Sequence, residues 1–127
     1  MNSIALIVKH IAGNYVSRWS DFLTSDGEKP NRNRDGEFVI ADTDTRPNLM
    51  ADWERGWSIL FATLSTLRDS DLETTVTIRG ESLTARLALL RGIEHTAYHV
   101  GQILYLVRLL RPESPWQSIA PAQIVKE

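Results

Sequence analysis

The stretch that decides the fold is residues 83–110, LTARLALLRGIEHTAYHVGQILYLVRLL. Apolar and small side chains alternate there at spacings of three and four, a pattern typical of a helix packed along the seam of a bundle. The seam positions are Leu89, Gly92, Thr96, His99, Ile103, Leu106 and Leu110. Pro112 cannot continue a helix, so it predicts the end of this one. The segment therefore predicts a long helix with one histidine on its buried side.

Two more segments have helical periodicity. Residues 4–23 carry a single apolar stripe, and Ser3 before them is a suitable N-cap. Residues 47–67 begin with a proline in the first turn and contain Gly56, which suits a position where a neighbouring helix approaches closely. The fold class we expect is therefore all-α, a helical bundle with three long helices, and residues 1–127 form a single domain.

The segments between the helices differ in composition. Residues 26–46 are polar and predict a loop of roughly 20 residues, and loops of that length often carry function. The β-branched run at residues 74–78 predicts a short extended segment or hairpin that covers one end of the helices. After Pro112 we expect irregular coil anchored by Trp116.

Composition excludes several classes of protein. The 14 basic and 16 acidic residues give a net charge of -2, which argues against nucleic acid as a partner. The chain has no cysteine, so disulfides and thiolate ligands are excluded. No apolar run reaches the roughly 18 residues that would span a bilayer, and no signal pattern is present. We therefore expect a cytoplasmic protein with no membrane partner.

Two of the three histidines lie one helical turn apart. His95 and His99 are four residues apart, which places their Cβ atoms about 5–6 Å from each other on one helix face. That separation allows both imidazoles to bind one metal ion, although an isolated pair of this spacing is more often simply hydrogen-bonded. A histidine on the seam without a partner would leave its nitrogens desolvated, which favours a ligand. Gly92 and Ala88 leave room for one.

The third histidine, His10, lies on the first predicted helix. It shares a polar strip with Asn14, Ser17 and Asp21, well away from the centre of the apolar stripe. This strip is equally compatible with a solvated surface and with the polar wall of a cleft.

Several blocks of sequence together resemble an uncharacterised bacterial branch of the DinB-like superfamily. They are residues 2–5 (NSIA), 10–14 (HIAGN), 17–19 (SRW), 26–35 (DGEKPNRNRD), 37–38 (EF), 77–81 (TIRGE) and 95–103 (HTAYHVGQI). The resemblance implies a four-helix bundle with down-up-up-down connections. It also implies one divalent metal ion, commonly nickel or zinc, held by His10, His95 and His99. Some relatives transfer low-molecular-weight thiols.

One feature departs from that pattern. Relatives usually carry a further helix before the one that bears His10, so the first family helix is expected to be missing from this chain. Either an upstream segment precedes the recorded start, or a second subunit covers the exposed groove and the protein is a homodimer. Trp53, Trp57 and residues 4–8 are the candidates for such a surface.

The expected function is that of a metal-dependent enzyme acting on a small molecule, of the hydrolase or thiol-transferase type. Three imidazoles leave a coordination position open for substrate, and a thiol nucleophile would have to be a cosubstrate. Asn14 and Gln102 are candidates to orient a ligand or an imidazole, and Arg32 and Arg34 are candidates to bind an anionic substrate, unless local acidic residues pair with them. The alternatives are a non-catalytic bundle stapled by the metal and a metal-free interaction module.

Overall fold

A computed structural model describes residues 3–113 and contains three long helices and one hairpin. The elements are α1 (Ile4–Trp19), α2 (Arg46–Thr66), β1 (Thr75–Ile78), β2 (Glu81–Thr84) and α3 (Ala85–Leu110), with short 3-10 helices at Asp35–Phe38 and Asp69–Glu73. The predicted anchor Trp116 lies outside the described residues. Within them, no helix is long and apolar enough to cross a membrane.

The all-α class predicted from the sequence is wrong. The three expected helices are present and make the protein mostly helical, but β1 and β2 pair as a two-stranded antiparallel sheet, so the fold is mixed rather than an all-α four-helix bundle. The hairpin contributes Val76, Ile78 and Leu83 to the hydrophobic core. The β-branched run coincides with β1. Its partner strand begins at Glu81 and includes Leu83, which the helical periodicity had assigned to the third helix.

The turn of the hairpin explains why two short strands pair here. Arg79 and Gly80 both have positive φ, 55° and 75°, which is the conformation of a two-residue turn that follows the right-handed twist of the strands. The side chain of Asp26 holds this turn, because its carboxylate accepts hydrogen bonds from the backbone N–H groups of Arg79 and Gly80, each at 2.8 Å. These bonds lower the pKa of Asp26 below its usual value. The long loop and the hairpin are thereby joined.

Side-chain caps set the start of each long helix. Ser3, the predicted cap, accepts a hydrogen bond from the N–H of Leu6 at 3.3 Å. Thr45 and Thr84 begin α2 and α3 in the same way.

Helix α1 lies at the centre of the molecule, with Ile7, Ile11, Tyr15 and Trp19 all nearly inaccessible to solvent. It packs most extensively on α2, where an added Cβ on Gly56 would lie 3.2 Å from a backbone oxygen of α1; the predicted close approach is confirmed. On its other side, α1 meets α3. The room expected beside Gly92 is largely filled by the indole of Trp19, which would lie 2.7 Å from an added Cβ.

An apolar groove between α2 and α3 is exposed. Tyr15, Trp57 and Leu89 lie along a groove of about 510 Å³ between these helices. The homodimer expected from the sequence stays a prediction, which light scattering of the purified protein tests; a stable monomer contradicts it.

Candidate metal centre

Three histidines from two helices meet at one point. His10 comes from the middle of α1, and His95 and His99 from consecutive turns of α3. The Nε2 atom of His95 lies 3.1 Å from Nε2 of His10 and 3.2 Å from Nε2 of His99. One ligand nitrogen from each ring lies within 4.8 Å of the others, so the three residues could together bind a metal ion.

Three of the four residues of the polar strip, His10, Asn14 and Ser17, form a buried wall rather than a solvated surface, whereas Asp21 is exposed. His10 and Asn14 are 6% and 8% exposed, and Ser17 is 2% exposed. These fractions decide between the two alternatives that the sequence left open, because a solvated strip would be largely accessible.

The spacing of the nitrogens fits a first-row divalent ion. Two nitrogens bound at about 2.0–2.1 Å to one tetrahedral ion lie about 3.3 Å apart. The two distances measured from Nε2 of His95 are close to that value. The third pair, between His10 and His99, lies within 4.8 Å.

The hydrogen positions in the cluster also favour a cation. Nδ1 of His10 lies 2.8 Å from a carboxylate oxygen of Glu37, and Nδ1 of His99 lies 2.8 Å from Oε1 of Gln102, so both Nδ1 atoms donate. In the neutral rings, the Nε2 atoms of His10 and His99 are then both acceptors. Nε2 of His95 carries at most one hydrogen and satisfies only one of them. A metal ion would accept all three lone pairs.

Burial keeps the α3 pair of imidazoles in the neutral, ligating form. Desolvation, with further repulsion from His99 and His10, lowers the pKa of His95 to about 4. Burial also lowers the pKa of His99, although its hydrogen bond to Gln102 opposes this change. Protonation of His95 or His99 is therefore not favoured as a way to resolve the facing lone pairs at neutral pH.

Glu37 supports His10 from the long loop. It lies in the 3-10 helix at Asp35–Phe38 and is itself buried. Burial alone would raise the pKa of Glu37, but hydrogen bonds from His10 and Arg32 lower it below its usual value, so the carboxylate stays ionised. An added Cβ on Gly13 would lie 2.3 Å from Oε1 of Glu37. Gly13 is thus the residue on α1 that lets the carboxylate reach His10.

The other predicted site residues are placed as follows. Gln102 holds Nδ1 of His99, and Asn14 lines a cavity beside His10. Arg32 donates to Glu37 through Nε and Nη2 and to Glu28 through Nη1, so its charge is already paired. Arg34 is exposed, with its guanidinium 5.8 Å from the centre of the Phe38 ring.

A cavity of about 400 Å³ opens beside the histidines, and its charged lining is Arg18, Arg32, Arg34, Arg79, Arg91 and Glu81. Glu37 was not predicted from the sequence as a support for His10, and neither were three of these arginines, on α1, the hairpin turn and α3. The spacing of Arg18 and Arg91 was the available signal. Arg18 lies eight residues after His10, and Arg91 lies four before His95, so each shares a helix face with a histidine.

Fold and site together define a small, mostly helical protein with a three-histidine cluster at one side of an arginine-lined cavity. The chain belongs to the family described as "Protein of unknown function (DUF1572)", whose family model matches residues 1–123. No curated protein and no solved structure matches the chain.

Proposed function

We propose that this protein is a metal-dependent enzyme that acts on a small molecule, by hydrolysis or by transfer of a low-molecular-weight thiol, at a nickel or zinc ion held by His10, His95 and His99. The observation that carries the proposal is the convergence of three Nε2 atoms that cannot satisfy one another with hydrogens. The DinB-like resemblance adds support to the same ligand set.

The ligand set leaves space for a substrate. Within residues 3–113, no fourth histidine, cysteine or acidic side chain joins the cluster. Sites with three protein ligands are typical of catalytic metal centres, whereas structural zinc sites usually have four. His10 and His95 line the cavity, so a small molecule in it can approach the cluster.

The protein residues have distinct tasks in this proposal. Glu37 and Gln102 accept the Nδ1 hydrogens of His10 and His99, which orients both rings and keeps each Nε2 free to bind. Asn14 offers an amide group at the cavity wall beside His10. A bound divalent ion would supply Lewis-acid activation of a water molecule or of a thiol cosubstrate. The chain has no cysteine, so any thiol comes from outside.

A second candidate function is a structural staple. His10 belongs to α1 and the other two histidines belong to α3, and these helices contact each other less extensively than α1 and α2 do. An ion shared between them would join the two halves of the fold. This alternative predicts metal-dependent stability without turnover.

Elemental analysis of the purified protein, grown with ample nickel and zinc, is the first test. We expect about one ion per chain, and loss of that ion in His99→Ala. Glu94→Gln is the matched control, because Glu94 adjoins His95 on α3 but is exposed. Protein that contains no metal under these conditions would contradict both candidates.

Activity then separates the enzyme from the staple. Metal-loaded protein is assayed against panels of esters, amides and thiol-transfer substrates, with His10→Ala beside the wild type. Turnover that depends on His10 supports the enzyme, and equal activity in the two proteins would exclude the three-histidine centre as its source.

A further inference from the structure

The cavity beside the histidines contains more positive charge than its own carboxylates pair. Arg18 stands out, because within residues 3–113 its side chain makes no hydrogen bond or ion pair, and its Nε atom is buried without a partner. The stem of Arg18 packs against the backbone of Gly27, where an added Cβ would lie 2.9 Å from Cδ. Partly burying a guanidinium without a hydrogen-bond partner costs free energy, unless a bound ligand supplies that partner.

The neighbouring arginines increase that cost. Burial lowers the pKa of Arg18 below its ordinary value, and the charges of Arg32, Arg79 and Arg91 lower it further, although Glu28 opposes them. These four arginines line the same cavity as His10 and His95. The cavity is therefore a region of positive potential that extends from the hairpin to the histidines.

Arg79 and Arg91 are available to a ligand, whereas Arg32 is not. Among the described residues, Arg79 and Arg91 each make one long ion pair, at 3.4 Å to Glu28 and to Glu81, and both side chains are substantially exposed. Such pairs are weak and exchange readily. Arg32, in contrast, has only 3% of its side chain exposed and is held by two carboxylates.

The fold places these arginines in line with the histidines. Arg18 follows His10 by two helical turns, about 12 Å along the axis of α1. On α3, Arg91 lies one turn from His95, and the hairpin turn presents Arg79 to the same cavity. A small molecule with its reacting group at the histidines can therefore carry a second group toward the arginines.

We propose that Arg18, Arg79 and Arg91 form a binding subsite for an oxyanion, a carboxylate or phosphate group carried by a small-molecule substrate. The anion would accept charge-assisted hydrogen bonds from Arg18, whose Nε lacks a partner, and from the loosely paired Arg79 and Arg91. The proposed subsite depends only on the contacts of these arginines. The statement that the same molecule reacts at the histidines rests on the proposed function. The volume of about 400 Å³ suits a small molecule.

Titration calorimetry with inorganic phosphate and with succinate tests the subsite in metal-free protein, so that the anion cannot bind to a metal ion instead. The variants are Arg18→Gln and Arg91→Gln. Arg86→Gln is the control, because Arg86 lies on the same helix and pairs with Glu73 outside the cavity. We expect one of the two anions to bind the wild type and the control equally and the two cavity variants about ten-fold or more weakly. The anion that binds identifies the source of the oxyanion.

Stability and zinc content give independent readouts on the same variants. Arg18→Gln removes an unpaired desolvated charge, so we expect its midpoint of thermal unfolding without ligand to rise by a few degrees while zinc content stays unchanged. Arg18→Lys, which keeps the charge, controls for loss of packing and should retain more affinity than Arg18→Gln. A variant that lost both anion and zinc would show a role in folding and overturn the subsite.

Other outcomes also decide the matter. Failure of both anions to bind the metal-free wild type overturns the subsite, while zinc content and turnover still judge the metal centre separately. Binding that appears only after zinc is added and is equal in Arg18→Gln places the anion on the metal and overturns the proposal. A short single-stranded oligonucleotide that displaced the anion would assign the arginines to a polyanion instead.

Discussion

Glu37 and His10 are 27 residues apart in sequence, yet a carboxylate oxygen of Glu37 lies 2.8 Å from Nδ1 of His10. The contact fixes which nitrogen of the ring carries hydrogen and turns the other nitrogen toward His95. The polar loop therefore supports the site, because Arg32, which also lies in the loop, forms an ion pair with the same carboxylate. A metal-binding function predicts a measurable role for every member of this chain of contacts.

Glu37→Gln tests the orientation of His10. The amide can still accept the Nδ1 hydrogen, but it lacks the charge that increases the basicity of the imidazole. We expect zinc affinity to fall by about 10–100-fold with little change in fold, as is usual when a carboxylate behind a metal-binding histidine is replaced. Competition titration with a chromophoric chelator measures the change, and Glu54→Gln on the exposed face of α2 serves as control. Equal affinities in all three proteins would show that Glu37 does not support the site.

Gly13→Ala tests the same contact from α1. The new methyl group would collide with Oε1 of Glu37 and push the carboxylate away from His10. Gly101→Ala is the matched control, since nothing lies within 4 Å of its added Cβ. Both substitutions raise helix propensity by up to about 1 kcal/mol, so a general effect on helix stability would appear in both. We expect weaker zinc binding only in Gly13→Ala, and comparable binding by both variants would contradict the assigned geometry.

The stability of the metal-free protein should depend on pH through His95. Its pKa is about 4 in the folded chain, against an ordinary value of 6.5. Between those values the unfolded chain binds a proton that the folded chain excludes, so the free energy of unfolding decreases as pH falls through this window. Urea unfolding at several pH values measures it. His95→Gln should flatten the dependence, and an unchanged slope would show that His95 is not the group responsible.

Asp26→Asn tests how the loop holds the hairpin. The carboxylate accepts three backbone hydrogen bonds, from Glu28, Arg79 and Gly80. An amide offers one accepting oxygen instead of two, so we expect the free energy of unfolding to fall by about 1–3 kcal/mol. The charged form stabilises the fold, because its pKa lies below the usual value, and this contribution is lost as pH falls through that lowered pKa. Asp52→Asn, at an exposed surface pair, is the control; an equal loss in both would reject the special role of Asp26.

Some features of the site follow from short-range pattern. The spacing of His95 and His99 along one helix is local, and so is that of His99 and Gln102, because side chains three and four residues apart on a helix are neighbours. The starts of the helices are equally local, since Ser3 and Thr45 cap the turns that follow them directly.

The sequence predicted an extended segment or hairpin at residues 74–78, but it did not predict that residues 81–84 form the second strand. The run before Arg79 has strand propensity, but its partner strand carries only Leu83 toward the core and resembles the approach to a helix. The pairing is decided by the backbone of the Arg79–Gly80 turn and by Asp26, more than 50 residues earlier in the chain. A fold class that depends on such a contact is not visible in the periodicity of either segment.

The sequence by itself determined three helices, the Ser3 cap of the first and the facing pair His95 and His99, because these depend on side chains within one or two turns of one another. Only the tertiary structure decided that His10 completes the cluster by contact and that Glu37 orients it. It also decided that Arg18 lies beside Arg79 and Arg91 with no partner for its Nε atom among residues 3–113. These relationships join α1, the loop, the hairpin and α3. These contacts form because packing of the core brings the four elements together. The residue spacing within any one element does not encode that packing.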